Sequence, residues 1–126
     1  MMLILDAGAF VAVERWDREV VALVKRERLA GRVPVTCGGV VAQVWRGGHG
    51  RQAPVARLLA GTDVTAVDGQ LGRRAGMLLA RSGQSDAIDA SVVCLAADGD
   101  DILTSDPSDL RALAEAAGIY IDLIPI

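Results

Sequence analysis

The feature that most constrains this chain is a short apolar run closed by an acid. Met2-Leu3-Ile4-Leu5 stops abruptly at Asp6. A run with no polar alternation reads as a strand buried on both faces, and such a strand needs helices above and below its sheet. The remaining sequence supplies them. Ala7–Glu14 reads as a short helix. A second, N-capped by Asp17, carries Val20, Val21, Leu23, Val24 and Leu29 and ends at Gly31. Val33–Thr36 is a short strand with Pro34 near its start. Val40, Val41, Val44 and Trp45 have helical spacing, and Gly47-Gly48-His49-Gly50 breaks that third helix. A fourth spans Gln52–Leu59, with Pro54 in its first turn. Thr62–Val67 alternates as a strand; helices follow over Leu71–Leu79 and Asp86–Ala97, separated at Ser82-Gly83. Asp101–Thr104 is a strand, Pro107–Ala117 a helix and Ile119–Ile124 the last strand. The order β-α-α-β-α-α-β-α-α-β-α-β predicts one α/β domain over residues 1–126, a mostly parallel sheet of about five strands with helices on both faces.

Composition narrows what such a domain can do. Apolar residues make up 52% of the chain, enough for a packed core and too many for disorder. The net charge of −3 argues against binding nucleic acid by bulk charge, while leaving room for a local basic lip. With only Phe10, Trp16, Trp45 and Tyr120 as aromatics, a sheet that stacks bases on exposed rings is excluded. Cys37 and Cys94 lack CxxC spacing and His49 is the single histidine, so a Cys/His zinc site is ruled out. Both thiols read as small core residues rather than a disulfide. No run approaches the ~18 apolar residues of a membrane span, and the expectation is a soluble, cytoplasmic protein without membrane association.

The acids carry the chemistry. In open parallel sheets reactive groups gather beyond the carboxyl ends of the strands. Asp6 directly follows the first strand, Asp106 follows the fourth by one residue, and Asp109 lies three positions further on. Asp86 and Asp89 open a helix on one face. Two ionised carboxylates about 4 Å apart repel by roughly 4 kcal/mol at an effective dielectric of ~20. Five that converge must therefore either protonate or share a divalent cation, and all-oxygen ligands select Mg²⁺ or Mn²⁺. Such an ion suits the activation of water against a phosphodiester. Capping is the competing explanation. Asp86 with Asp89 at N3, and Asp106-Pro107-Ser108-Asp109, are both good helix starts. Asp6 is harder to account for in that way.

The segments Leu3-Ile4-Leu5-Asp6-Ala7-Gly8-Ala9, Asp86-Ala87-Ile88-Asp89-Ala90 and Ile102-Leu103-Thr104-Ser105-Asp106-Pro107-Ser108-Asp109-Leu110, in this order and spacing, resemble the PIN domain, and more narrowly the VapC-type toxins of bacterial toxin–antitoxin pairs. The resemblance covers essentially the whole chain. It implies a PIN-like fold and a Mg²⁺- or Mn²⁺-dependent endoribonuclease. It further implies a homodimer held inactive by a cognate VapB-like antitoxin, with structured RNA such as tRNA or rRNA as substrate. Carried over by position, Asp6, Asp89 and Asp106 match the family acids and Asp109 an auxiliary acid. Thr104 takes the supporting hydroxyl position, and Asp86 is a possible additional metal ligand. One position departs: Gln43 stands where the family usually has a Glu. An amide oxygen can still ligate a metal or hold water, but it brings no charge and cannot act as a base.

Arg46, His49 and Arg51 surround the glycine-rich break after Gln43 and are candidates for phosphate contact near the mouth of the site, with a solvated loop as the alternative. Lys25, Arg26, Arg28 and Arg32 read as a solvated helix face; Arg73 and Arg74 could line a groove or meet an antitoxin. Phe10, Trp16 and Trp45 are core residues, or a dimer or antitoxin surface if exposed together. A second function class stands beside the nuclease: a catalytically weak or inactive PIN-like module, marked by Gln43, that binds RNA or an antitoxin. Phosphotransfer through Asp6 does not fit, because Gly8 occupies the place of the second Asp that dehalogenase-type enzymes need and Lys25 is the only lysine.

Overall fold

The computed structural model describes residues 1–126. Strands β1 (Leu3–Leu5), β2 (Val35–Cys37), β3 (Asp63–Thr65), β4 (Asp101–Thr104) and β5 (Asp122–Pro125) form one sheet in the order β3-β2-β1-β4-β5. Every neighbouring pair is parallel, with Ile4 beside Val35 on one side and Ile102 on the other. The expected parallel sheet of five strands is therefore what forms, without an antiparallel member.

Helices α1 (Ala7–Glu14), α2 (Arg18–Leu29), α3 (Gly38–Val44) and α4 (Ala53–Ala60) connect β1 to β2 to β3, with a single 3₁₀ turn at Gly50–Gln52 before α4. The chain then returns through α5 (Gly69–Ser82) and α6 (Ala87–Cys94) to β4, and through α7 (Pro107–Ala117) to β5. Right-handed crossovers place helices of the outward and return journeys on opposite faces. The packing agrees: α1 touches α2, α3 and α4, while α5, α6 and α7 pack on one another. Leu3, Ile4 and Leu5, and Ile102, Leu103 and Thr104, are all buried, as strands covered on both faces must be. Burial of Ile4, Leu5, Phe10, Ile102 and Leu103 contributes about 1.5–3 kcal/mol each.

Several boundaries differ from the sequence reading. β2 begins after Pro34, which has no N–H to donate, and extends to Cys37. β3 covers only the three residues that pair with β2, as an exposed edge. α5 is longer than expected because Asp68 accepts the Leu71 N–H at 2.8 Å and Gly83, at φ +73°, stops it. α6 stops at Cys94, and the last strand starts at Asp122 rather than Ile119. Its register begins where Asp122 meets Asp101. Both cysteines are free, Cys37 in the core and Cys94 half-buried. Phe10 is fully buried whereas Trp16 and Trp45 are exposed, so the three do not form one surface. No helix is long and apolar enough to cross a membrane.

Candidate metal centre

From β1 the chain turns toward β2, and from β4 it turns toward β5. α1 and α7 therefore leave two adjacent strands in opposite directions, and the gap between their starts is the crevice at which open α/β sheets bind ligands. Asp6 lies at its floor. Its backbone N–H still donates to the Leu103 carbonyl at 3.1 Å, extending the ladder by one residue. The side chain is 5% exposed. Its Oδ1 accepts the Ala7 N–H at 2.8 Å, capping α1, and its Oδ2 accepts the Thr104 hydroxyl at 2.8 Å. Thr104 Oγ1 in turn accepts the Asp106 N–H at 2.9 Å. One hydroxyl thus ties the acid after β1 to the acid after β4. Thr36, buried on β2, donates to the Leu5 carbonyl at 2.7 Å and fixes the same strand end from the other side. The one mark of Thr36 in the sequence is a hydroxyl inside an apolar strand.

Asp86 does cap α6, accepting the N–H groups of Ile88 at 2.9 Å and Asp89 at 3.0 Å. Asp106 does not behave alike. It occupies the N-cap position of α7, yet its side chain makes no capping hydrogen bond. Capping therefore accounts for Asp86 and leaves Asp106 unexplained. Carboxylate oxygens of Asp89, half-buried at N3 of α6, and of the exposed Asp106 and Asp109 lie within 4.8 Å of one another. Burial first, and then the charges of Asp6, Asp86, Asp106 and Asp109, push the Asp89 carboxyl up to about 7. Asp106 is also raised, by dehydration, by a hydrogen bond with Asp109 and by the charges of Asp109, Asp6 and Asp86. Because Asp106 is exposed, the hydrogen bond and the neighbouring charges are the causes with chemical weight.

The structure thus gathers Asp89, Asp106 and Asp109 into one triplet. Asp6 and Asp86 stand beside it and their charges press on Asp89; Asp6 accepts from the Ala7 N–H and the Thr104 hydroxyl, and Asp86 Oδ1 from two amides of α6. Such a donor set fits a hard divalent cation: it is all oxygen and includes a carboxylate that no cap employs. Oxygens sharing one Mg²⁺ are at most about 4.2 Å apart, close to the observed bound.

Gln43 is exposed on α3 and makes no side-chain hydrogen bond. It shares a helix face with Gly39, where an added Cβ would meet Ile88 of α6 at 3.1 Å, so that face looks toward the helix that carries Asp89. The basic trio is elsewhere. Arg51 pairs at 3.7 Å with Glu14 at the far end of α1, about 12 Å along the axis from the end that Asp6 caps. Arg46 donates to the Ala42 and Trp45 carbonyls, at 3.2 and 2.7 Å, at the C-terminal end of α3. Exposed His49 precedes the 3₁₀ turn. Buried Gln52, donating to the Val44 carbonyl at 2.7 Å and to Glu14 at 3.4 Å, ties their loop to the C-terminal ends of α1 and α3.

No protein-family model matches the chain, and no curated protein is detectably similar to it. Among solved structures, it resembles a chain of the crystal structure of VapBC2 from Rickettsia felis bound to a DNA fragment from their promoter. The TM-score is 0.69 at 11% identity, over 98% of each chain. At that identity the likeness is one of fold. The PIN-like α/β fold implied by the motifs is the fold that the chain adopts from end to end.

Proposed function

We propose that the protein is a Mg²⁺- or Mn²⁺-dependent endoribonuclease acting as the toxin of a toxin–antitoxin pair. The observation that carries the reading is the clustering at the β1/β4 switch point of Asp89 with Asp106 and Asp109, beside Asp6, whose charge acts on Asp89. Of these acids, Asp106 is one that the local helix start does not employ. Asp6, Asp89 and Asp106 would hold the ion, with Asp109 and Asp86 as further ligands. When bound, the ion would supply Lewis acidity toward a phosphodiester and make a bound water more acidic. Thr104 orients Asp6 by donating to Oδ2. Asp89 is raised to about 7 without the ion, so binding of the ion would release a proton from it near neutrality.

The fold likeness to a VapBC2 structure supports a VapB-like antitoxin as partner. Structured RNA, tRNA or rRNA, is the proposed substrate, the homodimer the proposed assembly and the cytoplasm the proposed location. Arg46, His49 and Arg51 are the proposed contacts with RNA phosphates. The test is incubation of total tRNA and rRNA with antitoxin-free protein in Mg²⁺, Mn²⁺ or EDTA, beside folded Asp6→Asn. Cutting that needs metal and Asp6 is expected; no cutting with either ion contradicts the reading.

Gln43 favours a second reading, a PIN-like module of weak or lost activity that binds RNA or an antitoxin, because its face of α3 brings no charge toward α6. Gln43→Glu separates the two. A degenerate module gains cleavage that the native chain lacks, whereas a working enzyme changes rate or metal preference modestly.

A further inference from the structure

Gly8 is the second residue of α1, and its backbone is ordinary. It is absent from the glycines with positive φ, which are Gly31, Gly47, Gly48, Gly50, Gly83, Gly99 and Gly118. Conformation therefore does not require glycine there, and glycine disfavours a helix relative to alanine. Space does require it. A Cβ at position 8 would lie 2.6 Å from Ser105 Oγ, 2.8 Å from Ser105 Cβ and 2.9 Å from the Ser105 backbone nitrogen. The last is main chain, which cannot rotate away. Ser105 is the one residue between Thr104, whose hydroxyl donates to Asp6, and Asp106, whose N–H donates to that hydroxyl.

We infer that Gly8 is a positioning residue: its missing side chain lets the turn after β4 close onto the start of α1, and this closure sets the separation of Asp6 from Asp106. Any side chain at position 8 pushes the Ser105 backbone outward, lengthening the Thr104–Asp106 contact and moving Asp106 from its place beside Asp89. The inference rests on the metal-site reading above. Residues that orient metal ligands without touching the metal typically change affinity by about 10–100-fold when altered.

The test is Mn²⁺ titration of the full chain by calorimetry for the native protein, Gly8→Ala, Ser105→Gly and the double variant, with amide hydrogen exchange at Asp106 measured in EDTA. Gly8→Ala is expected to weaken Mn²⁺ binding about tenfold or more and to speed exchange of the Asp106 N–H. Ser105→Gly alone is neutral. The double variant, freed of the Oγ and Cβ contacts but not of the nitrogen, recovers part of the loss. A merely structural role would lower thermal stability in EDTA while leaving the affinity of the folded protein and the Asp106 exchange unchanged, and that result overturns the inference. Should Gly8→Ala not fold, the double variant must still bind more weakly than Ser105→Gly; equality overturns it. If the native protein binds no Mn²⁺, the metal-site reading fails and this inference with it. If the native protein binds and Gly8→Ala binds equally, only the inference fails.

Discussion

The two ends of the sheet each bury an aspartate, and they use it differently. At the amino edge Asp100, 5% exposed like Asp6, has Oδ1 on the Met2 N–H at 2.8 Å and Oδ2 on the Ala97 N–H at 2.9 Å. Both oxygens are bound by main-chain amides, so this carboxylate is a stitch between β1 and the turn before β4. At the carboxyl edge Asp6 accepts one amide and one hydroxyl and stands beside other carboxylates that press on Asp89. A buried acid alone does not mark a site. The marks are an acid such as Asp106 that caps nothing and neighbours of the same sign. The amino edge has like charges too, since burial and Asp122 raise Asp101. There, however, no three carboxylates come together as Asp89, Asp106 and Asp109 do.

The sharpest way to break this contrast is to remove each buried acid. Asp6→Asn keeps the shape and loses the charge; it should abolish metal-dependent RNA cleavage, by about 100-fold or more in rate, with little loss of stability. Asp100→Ala should do the reverse. It leaves two amides unpaired and costs about 2–4 kcal/mol in urea unfolding, with Mn²⁺ affinity unchanged in the folded protein. If Asp100→Ala weakened Mn²⁺ binding as Asp6→Asn does, the division between the two ends would collapse.

Smaller effects sharpen it. Asp89 has its folded pKa raised to about 7 from an ordinary 3.8. Between about pH 4 and pH 7 the unfolded chain therefore binds fewer protons than the folded one, so metal-free stability falls as pH rises through that window. Asp89→Asn should remove most of this slope and stabilise the metal-free protein near pH 7.5 by about 1 kcal/mol, after allowance for solvent screening of a half-exposed group. The same substitution should weaken Mn²⁺ binding. Thermal melts in EDTA across pH 4–8 check it, and a flat native profile would contradict the account. The smallest expected effect is that of Gln43→Glu. Added negative charge facing α6 should tighten Mg²⁺ binding a few-fold by calorimetry; unchanged affinity would place that side chain outside the site.

The elements nearest the crevice were the most legible in the sequence. Leu3–Leu5 before Asp6 and Ile102–Thr104 before Asp106 are uninterrupted apolar or β-branched runs, because the central strands are buried on both faces. The edges were not. β3 is exposed throughout, so its pattern has no buried face to betray its ends. Four acids of the site could equally be read as caps. Only the structure separates Asp86, which holds two amides, from Asp106, which holds none. Placement of Arg46, His49 and Arg51 was beyond local reading because Gln52, a residue of no evident pattern, anchors that loop through partners on α1 and α3. Gly8 was visible as a glycine in a helix start, but its reason is Ser105, 97 positions away.

The central claim is that the carboxyl edge holds a divalent cation, and Mn²⁺ titration monitored by water-proton relaxation at pH 7.5 tests it most directly. The account predicts saturable binding at about one site per chain, lost in Asp6→Asn and kept in Asp100→Ala. Weak, unsaturable binding that is the same in all three proteins would contradict it.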